Sequence, residues 1–481
     1  MKKIIKYLIL ITLPVLVSCD NWLELVPPNG LVQDEYWKNK EDIKASLMGA
    51  YDQLAKMDEE LFLYGEIRGG MIAEDNPSDD IRDILKGNIY PDNYLCDWSG
   101  FYKIINYCNM VLYYNPIIFE LDPTYSEYQM QGIESEALFL RSLSYFYLVR
   151  IFNEVPLVLE PTSSDNAELY HPKSEEQVIL DTIKVNLIHA SKFISDDHGS
   201  LENNLGRASK NGIHALLADI SLWNFEYEEC LSYIEKIEES TIGLVSNSDW
   251  FTNYYPGNTL ESIFELQYND LNSQGNSLYS STYTQDNYLV STSAIELLDS
   301  EPPVNENTRD GSFSPTSLKI WKYCGTLGDG KSVRSGSLRA SANWIFYRYA
   351  DILLMKAEAL SQLNDFDQAI DYVNMVRERA NVEQKSAPQS VNAFEDLIIE
   401  ERAKELAFEG KRWFDILRMG RRNNFSRKDK LIEIVTQNAP SNQRLVLRSK
   451  LKDSMGWYFP IMDTEIERNK NLEQNPYYEG Y

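Results

Sequence analysis

The sequence predicts a mostly α-helical protein built from helical hairpin repeats and interrupted by a long irregular insertion. Two segments 139 positions apart share one pattern of apolar and small residues, and each pattern has the period of an amphipathic helix. Between them, residues 241–343 lack a sustained helical period and are rich in serine, asparagine, glycine and tyrosine. The repeats therefore predict a rigid scaffold, and the insertion predicts the irregular surface on which binding usually resides.

The repeat becomes visible when the two segments are aligned. The later segment carries Ala357, Phe366, Ala369, Ile370, Val373 and Val376, and the earlier one carries Ala218, Tyr227, Cys230, Leu231, Ile234 and Ile237. Small residues 12 positions apart, such as Ala357 and Ala369, allow two antiparallel helices to approach closely. An aromatic residue just after the turn would then pack between the helices. This spacing is typical of a tetratricopeptide hairpin, and any other amphipathic hairpin is the plainer alternative.

Other elements follow from the spacing of apolar residues. Helices are predicted at residues 43–54, 98–114, 133–152, 175–194 and 394–419, and a strand is indicated at residues 262–266. A second, shorter irregular block is expected at about residues 58–97. We expect one domain over residues 19–481, with both irregular blocks inserted into it.

The amino terminus has the pattern of a lipoprotein leader. Lys2, Lys3 and Lys6 form a basic start, and residues 7–17 form an apolar run of 11, which is too short to span a bilayer. A small residue, Ser18, then precedes Cys19. We expect residues 1–18 to be a signal peptide and Cys19 to carry the lipid that anchors the protein. An ordinary signal peptide with a chance cysteine, or an unprocessed leader, is the alternative.

Charge and cysteine content exclude several classes. The net charge of −27 argues against nucleic-acid binding and against docking on anionic lipid through a basic face. Beyond Cys19 the chain has four cysteines without paired zinc-type spacing, namely Cys96, Cys108, Cys230 and Cys324. Free buried thiols are favoured, and a Cys96–Cys108 bridge stays open because export permits disulfides.

Catalytic signals are few. Residues 325–332 match the glycine, lysine and serine spacing of a phosphate-binding loop, but residues 333–337 make a poor helix start, and an exported chain would not meet cellular ATP. We therefore interpret the match as coincidence. The four histidines, His171, His189, His198 and His214, show no metalloprotease spacing, and the serine-hydrolase and EF-hand patterns are absent. We predict no enzyme activity and no cofactor, with a structural calcium ion as an open alternative.

The insertion contains a suggestive group of aromatic and amide side chains. Tyr279, Tyr283 and Tyr288 lie close in sequence to Asn287, and Trp321 follows later in the insertion. Carbohydrate sites need flat apolar faces for the sugar ring and fixed polar groups for its hydroxyls. The alternative is that these aromatic residues only pack the insertion onto the helices.

Several motifs resemble those of one known family. They lie at residues 19–24, 36–37, 49–51, 141–146, 348–359, 401–402, 405–410, 412–418, 459–461 and 474–476. Together they resemble the SusD/RagB family of outer-membrane nutrient-binding lipoproteins across nearly the whole chain. Within this pattern, residues 412–415 are interpreted as helix packing with a buried or half-buried ion pair.

The resemblance implies a fold of about four tetratricopeptide-like hairpins, a surface-exposed location on the outer membrane, and no catalysis. It also implies a partner, a SusC-type TonB-dependent transporter that the lipoprotein covers like a lid. The leading hypothesis is capture of oligosaccharide and its delivery to that transporter. The alternatives are capture of peptides or another nutrient, a protein-interaction scaffold without a small ligand, and an exported glycoside hydrolase.

The resemblance places ligand sites on the irregular blocks, so candidates are assigned by region. The first block supplies Asp75, Asn76, Asp79 and Arg82, and the second supplies Tyr279, Tyr283, Asn287, Tyr288 and Trp321. Trp98 opens a predicted helix, where a structural role is slightly favoured over a binding role.

Overall fold

The computed structural model describes residues 36–74, 78–162, 170–285, 287–300, 308–323, 327, 332, 334, 338–437, 439 and 441–479. The predicted leader and Cys19 lie outside the described residues, as do Asp75, Asn76 and Cys324. Most of the segment resembling a phosphate-binding loop also lies outside them.

The described part of the chain is mostly helical, as predicted. Its helices are α1 Lys40–Ala55, α2 Asp58–Glu66, α3 Asp79–Leu85, α4 Ser99–Leu121, α5 Glu127–Phe152, α6 Glu176–Ala190, α7 Leu201–Gly206, α8 Lys210–Trp223, α9 Tyr227–Glu238, α10 Thr292–Leu298, α11 Tyr349–Gln362, α12 Phe366–Arg379, α13 Val391–Glu405, α14 Arg412–Phe425, α15 Lys428–Gln437, α16 Ser441–Lys450 and α17 Asp463–Arg468. The short strands are β1 Ile72–Glu74, β2 Val155–Pro156, β3 Lys173–Ser174, β4 Ser262–Leu266, β5 Tyr288–Val290 and β6 Trp344–Arg348.

Four helix pairs form the scaffold. Helix α1 packs on α4, α5 on α6, α8 on α9, and α11 on α12, and each pair contacts the next along the chain. The core runs through these contacts, because nearly every residue in the second half of α5 is buried. The prediction of a tetratricopeptide-like scaffold is confirmed.

The sequence repeat corresponds to the last two pairs. Ala218 and Ala357 are fully buried in α8 and α11, where they allow close approach of the partner helices. The turns also match, because Phe225 and Asn364, which are 139 positions apart, both adopt left-handed backbone conformations with φ of 62° and 65°. The repeat therefore extends from the helix faces to the turn geometry.

The predicted helix at residues 394–419 is wrong as a single element. It is divided into α13 and α14, and the link contains Phe408 and Gly410 with φ of 66° and 71°. The buried carboxyl group of Glu66 accepts hydrogen bonds from the backbone N–H groups of Gly410 at 2.9 Å and Lys411 at 3.3 Å. A Cβ at position 410 would also lie 2.8 Å from the Trp344 ring. These contacts require the chain to turn between α13 and α14, although the helical spacing of apolar residues continues through the turn.

The first irregular block is more regular than predicted, because it contains α2, α3, β1 and a 3₁₀ turn at Tyr94–Cys96. Helix α2 begins with Asp58, Glu59 and Glu60, and negative charge at that end complements the helix dipole. In the second block, β4 forms over the predicted residues 262–266 and pairs antiparallel with β6.

A buried cluster of ion pairs joins the insertion to α13. Arg348 at the end of β6 contacts Glu261 at 2.6 Å, Glu405 at 2.8 Å and Glu409 at 2.8 Å, and all four side chains are at most 1% exposed. Such a cluster is costly to assemble but also costly to break, since removing one partner leaves a buried charge without its counterion. It fixes where the insertion leaves and re-enters the scaffold.

The interpretation of residues 412–415 as packing with a buried ion pair is confirmed. Asp415 is 2.8 Å from Arg402 and 3.0 Å from Arg418, and all three side chains are buried. The Trp413 ring is buried beneath the guanidinium of Arg68, whose central carbon lies 4.1 Å from the ring centroid.

The described cysteines are free and buried, which agrees with the favoured prediction. Cys96, Cys108 and Cys230 form no disulfide. Burial raises the pKa of the Cys108 thiol to about 12 and also raises the pKa of Cys96 and Cys230. These thiols are therefore protonated and unreactive at neutral pH.

Candidate functional site

The two irregular blocks meet in a short antiparallel ladder. Strand β1 from the first block pairs with β5 from the second, with Ile72 opposite Val290 and Glu74 opposite Tyr288. Sequence reasoning assigned candidates to both blocks, and the structure brings the blocks together at this ladder. Asp75 and Asn76 follow the last residue of β1 and lie outside the described part of the chain.

The start of α2 holds the tyrosine-bearing segment in place. The carboxylate of Asp58 accepts hydrogen bonds from the backbone N–H of Ser277 at 2.7 Å and from its hydroxyl at 2.5 Å. Burial raises the pKa of Asp58, although the hydrogen bonds from Ser277 oppose that shift. Because Asp58 is 1% exposed, this contact is a buried anchor for the segment.

The next residue of α2 makes a second link. Glu59 Oε1 accepts a hydrogen bond from the Tyr288 hydroxyl at 3.0 Å. Burial raises the pKa of both Glu59 and Tyr288. Tyr288 is 3% exposed, so the expectation that its ring forms part of an open platform is wrong. Its ring packs against the Phe62 ring, with centroids 6.0 Å apart, so Tyr288 is part of the core.

Tyr279 and Tyr283 form the aromatic surface of the site. Tyr279 directly precedes a single π-helical turn, Ser280–Thr284, and Tyr283 lies within that turn; their rings stack with centroids 5.4 Å apart and an interplanar angle of 21°. Both tyrosines are half-buried, so part of each residue remains accessible to solvent. We call this arrangement the tyrosine pair.

Two cations border the tyrosine pair. Arg339 Nη1 donates a hydrogen bond to the Tyr279 hydroxyl at 2.9 Å, and the guanidinium carbon lies 5.8 Å from the Tyr283 ring centroid. The hydrogen bond to Tyr279 raises the pKa of Arg339. Lys319 Nζ lies 4.5 Å from the Tyr283 centroid and donates to the Tyr283 carbonyl at 2.6 Å. The site therefore combines an aromatic surface with fixed cationic donors.

The remaining candidates of the insertion lie outside this group of contacts. Trp321 is half-buried, and its backbone N–H donates to the Ser312 carbonyl at 2.9 Å. The Asn287 amide donates to Gln285 Oε1 at 3.0 Å. Neither side chain has a described contact with the tyrosine pair.

Candidates from the first block are dispersed. Asp79 and Arg82 form an ion pair along the surface of α3, and the Asp79 side chain is 93% exposed. Trp98 is buried, and its indole N–H donates to Glu465 Oε2 at 3.3 Å. Trp98 lines a separate hollow of 570 Å³ with Tyr102, His171 and other residues. Its contacts are those of a packed core residue.

Sequence reasoning missed Arg339, Lys319 and Glu59. Each is far along the chain from at least one tyrosine that it contacts, and charged residues are too common in this sequence for any one to stand out. The three consecutive acidic residues Asp58, Glu59 and Glu60 could have indicated the start of α2, because negative charge is favourable at a helix N-terminus. They could not have indicated the contact between Glu59 and Tyr288.

Within the described ranges, no group of three or more histidine, cysteine, aspartate or glutamate side chains is arranged to hold a metal ion. Among the same residues, no helix is both long and apolar enough to cross a bilayer.

The fold is that of a helical-repeat protein with an irregular insertion, and comparison with known proteins gives its family. One family model, the SusD family, matches residues 300–478, and another, described as starch-binding associating with outer membrane, matches residues 21–222. The chain is a SusD-like protein.

Relatives in sequence and structure agree. A SusD-like protein of Formosa agariphila is 28% identical, with 98% of each chain covered, and a SusD-like protein of Bacteroides ovatus is 25% identical, with 66% of this chain and 64% of the relative covered. A SusD superfamily crystal structure from Bacteroides vulgatus superposes with a TM-score of 0.77 at 20% identity, covering 92% of this chain and all of that one. A laminarin-binding SusD-like protein gives a TM-score of 0.71 at 20% identity, with the same coverage.

Proposed function

We propose that this protein is a cell-surface lipoprotein that captures an oligosaccharide and delivers it to a SusC-type TonB-dependent transporter. The observation that carries the proposal is the half-buried tyrosine pair, which is bordered by fixed donors where the two irregular blocks meet. The laminarin-binding structural neighbour supports a saccharide ligand, and the name of the matching starch-binding model supports the outer-membrane location.

The chemistry of the tyrosine pair suits a sugar ring. The C–H face of a pyranose packs on an aromatic surface, while hydroxyl groups need donors and acceptors held in fixed directions. Arg339 provides donors that are oriented by the Tyr279 hydroxyl, and the tyrosine hydroxyls provide further polar groups. The buried links from Asp58 and Glu59 hold the segment before any ligand arrives, which lowers the ordering cost of binding.

Anchoring would come from lipid on Cys19, which follows the signal peptide proposed at residues 1–18. The irregular blocks would then face the transporter entrance, and the sugar would pass on without a chemical change. In this role the helical pairs are the scaffold that positions the site. The transporter would contact the outer surface of the folded protein.

The proposal is tested with the chain from residue 20, which lacks the leader and lipid site. The protein is applied to an array of plant, algal and microbial glycans, and supernatants are analysed for cleaved products. We expect saturable binding to one glycan class without product release. Binding to peptides alone, or to no ligand, would contradict the proposal, and cleaved glycan would indicate a hydrolase.

A further inference from the structure

We propose that the captured saccharide is acidic, and that Arg339 binds its carboxylate or sulfate group. This inference rests on the proposed function and adds the class of ligand. It follows from the bonding of Arg339, from the absence of a carboxylate paired with it among the described residues, and from the second cation beside it.

Arg339 is held in position but is not saturated. Its Nε donates to the Arg334 carbonyl at 3.1 Å, and its Nη1 donates to the Tyr279 hydroxyl at 2.9 Å. A guanidinium has five N–H groups, so three remain without an acceptor among the described residues. The side chain is half-buried, which leaves these donors within reach of a ligand.

No described carboxylate forms an ion pair with Arg339. Several other arginines that bridge separate elements are paired with acids, as Arg207 is with Glu136 at 2.5 Å and Arg421 is with Glu176 at 2.6 Å. In a chain with 73 acidic and 46 basic residues, an oriented arginine that has no acidic partner among the described residues is suited to bind an anion. The planar guanidinium matches a carboxylate or sulfate with two parallel hydrogen bonds.

Lys319 places a second positive charge on the same tyrosine pair. Its ammonium lies 4.5 Å from the Tyr283 centroid, on a ring that Arg339 also approaches. Two cations at one aromatic surface favour a ligand that carries negative charge, even though the net charge of −27 repels anions elsewhere on the protein.

The geometry gives a simple binding mode. A sugar ring packs on the exposed part of the tyrosine pair while its acidic substituent reaches the free N–H groups of Arg339. Because the rest of the protein repels an anionic chain, binding would concentrate at this surface. Rising ionic strength should weaken the charged contact and leave the stacking contact nearly unchanged.

The test uses matched glycans whose members differ only in charge. Calorimetry is done with an oligouronate and its carboxyl-reduced counterpart, and with a sulfated oligosaccharide and its desulfated counterpart. We expect the parent to bind at least one acidic member about tenfold more tightly than its neutral match, with a preference that falls as salt rises. The two pairs distinguish a carboxylate from a sulfate ligand.

Arg339→Gln should remove the preference for the acidic member and leave the neutral affinity nearly unchanged, while Arg339→Lys should restore part of it. Arg468→Gln is the matched control, because Arg468 is 74% exposed and pairs with Glu465 on α17. Melting temperatures establish that each variant is folded. Equal affinity for both members of each pair, in parent and Arg339→Gln alike, would overturn the inference while leaving glycan capture intact. Failure to bind any saccharide would contradict both.

Discussion

The hydroxyl of Tyr288 donates a hydrogen bond to the carboxylate of Glu59 at 3.0 Å. This bond connects β5 in the second irregular block with α2 in the first, between residues that are 229 positions apart in the chain. Together with the contact from Asp58 to Ser277, it attaches the segment that carries the tyrosine pair to α2. The buried attachment and the half-buried aromatic surface of the site are therefore made by different tyrosines.

We predict that Tyr288 contributes to stability and only indirectly to binding. Tyr288→Ala removes a 3%-exposed aromatic ring and should cost roughly 3–5 kcal/mol of unfolding free energy. Tyr288→Phe keeps the ring and removes one hydrogen bond, so it should cost about 1 kcal/mol. Urea denaturation measures both values. Parent-like stability of Tyr288→Ala would show that the ring is not part of the core.

The buried ion cluster should be sensitive to the loss of a single charge. Glu405→Gln leaves Arg348 and Arg379 with one fewer counterion in a buried site, and we expect a loss of about 3–5 kcal/mol. Asp52→Asn is the control, because Asp52 pairs with Lys56 on an exposed helix surface. This substitution should lower the free energy of unfolding by less than about 1 kcal/mol. Similar losses for both variants in guanidinium denaturation would contradict this account.

Glu66 should make stability depend on pH. Burial raises the pKa of Glu66 to about 8, whereas an unfolded glutamate titrates near 4.5. The folded state therefore binds the proton more tightly, and this carboxyl destabilises the fold increasingly as pH rises from about 4.5 to about 8. Glu66→Gln cannot ionise, so its stability relative to the parent should increase over that range, by up to about 1.4 kcal/mol per pH unit.

Chemical denaturation of the parent and Glu66→Gln at pH 5 and pH 8 measures this difference. A stability difference between parent and Glu66→Gln that stays constant between the two pH values would rule out the buried titration.

Membrane attachment should depend on Cys19. Since no described helix is suited to cross a bilayer, Cys19→Ala should release the full-length protein from the outer-membrane fraction. Fractionation followed by a carbonate and high-salt wash measures the release. Ser18→Ala keeps a small residue before the cysteine and should stay attached. Persistence of Cys19→Ala in the washed membrane would show another anchor.

Local periodicity accounts for what the sequence could predict. The repeat at Ala218 and Ala357 depends on contacts within each helical hairpin, so the spacing of residues was sufficient to place both pairs. The break between α13 and α14 was missed because it depends on Glu66, which lies in α2. The sequence around Gly410 gives no indication of this contact, because Glu66 lies 344 positions away in the chain.

The candidate site shows the same division. Three neighbouring tyrosines could be identified from the sequence, but their roles depend on tertiary contacts. Tyr288 is buried against Glu59, while Tyr279 and Tyr283 remain half-buried beside Arg339. Residue type and spacing predict that aromatic residues gather in the insertion, and only the three-dimensional contacts distinguish the ring that supports the surface from those that form it.

The most direct test of the central claim is the glycan affinity of a variant with both Tyr279→Ala and Tyr283→Ala, measured by calorimetry on the ligand identified by the array. We predict a loss of about 30-fold or more, with a melting temperature within a few degrees of the parent. Tyr128→Ala is the matched control, because Tyr128 is 66% exposed on α5. This variant should bind the glycan with the affinity of the parent. Parent-like affinity of the folded double variant would contradict capture at the tyrosine pair.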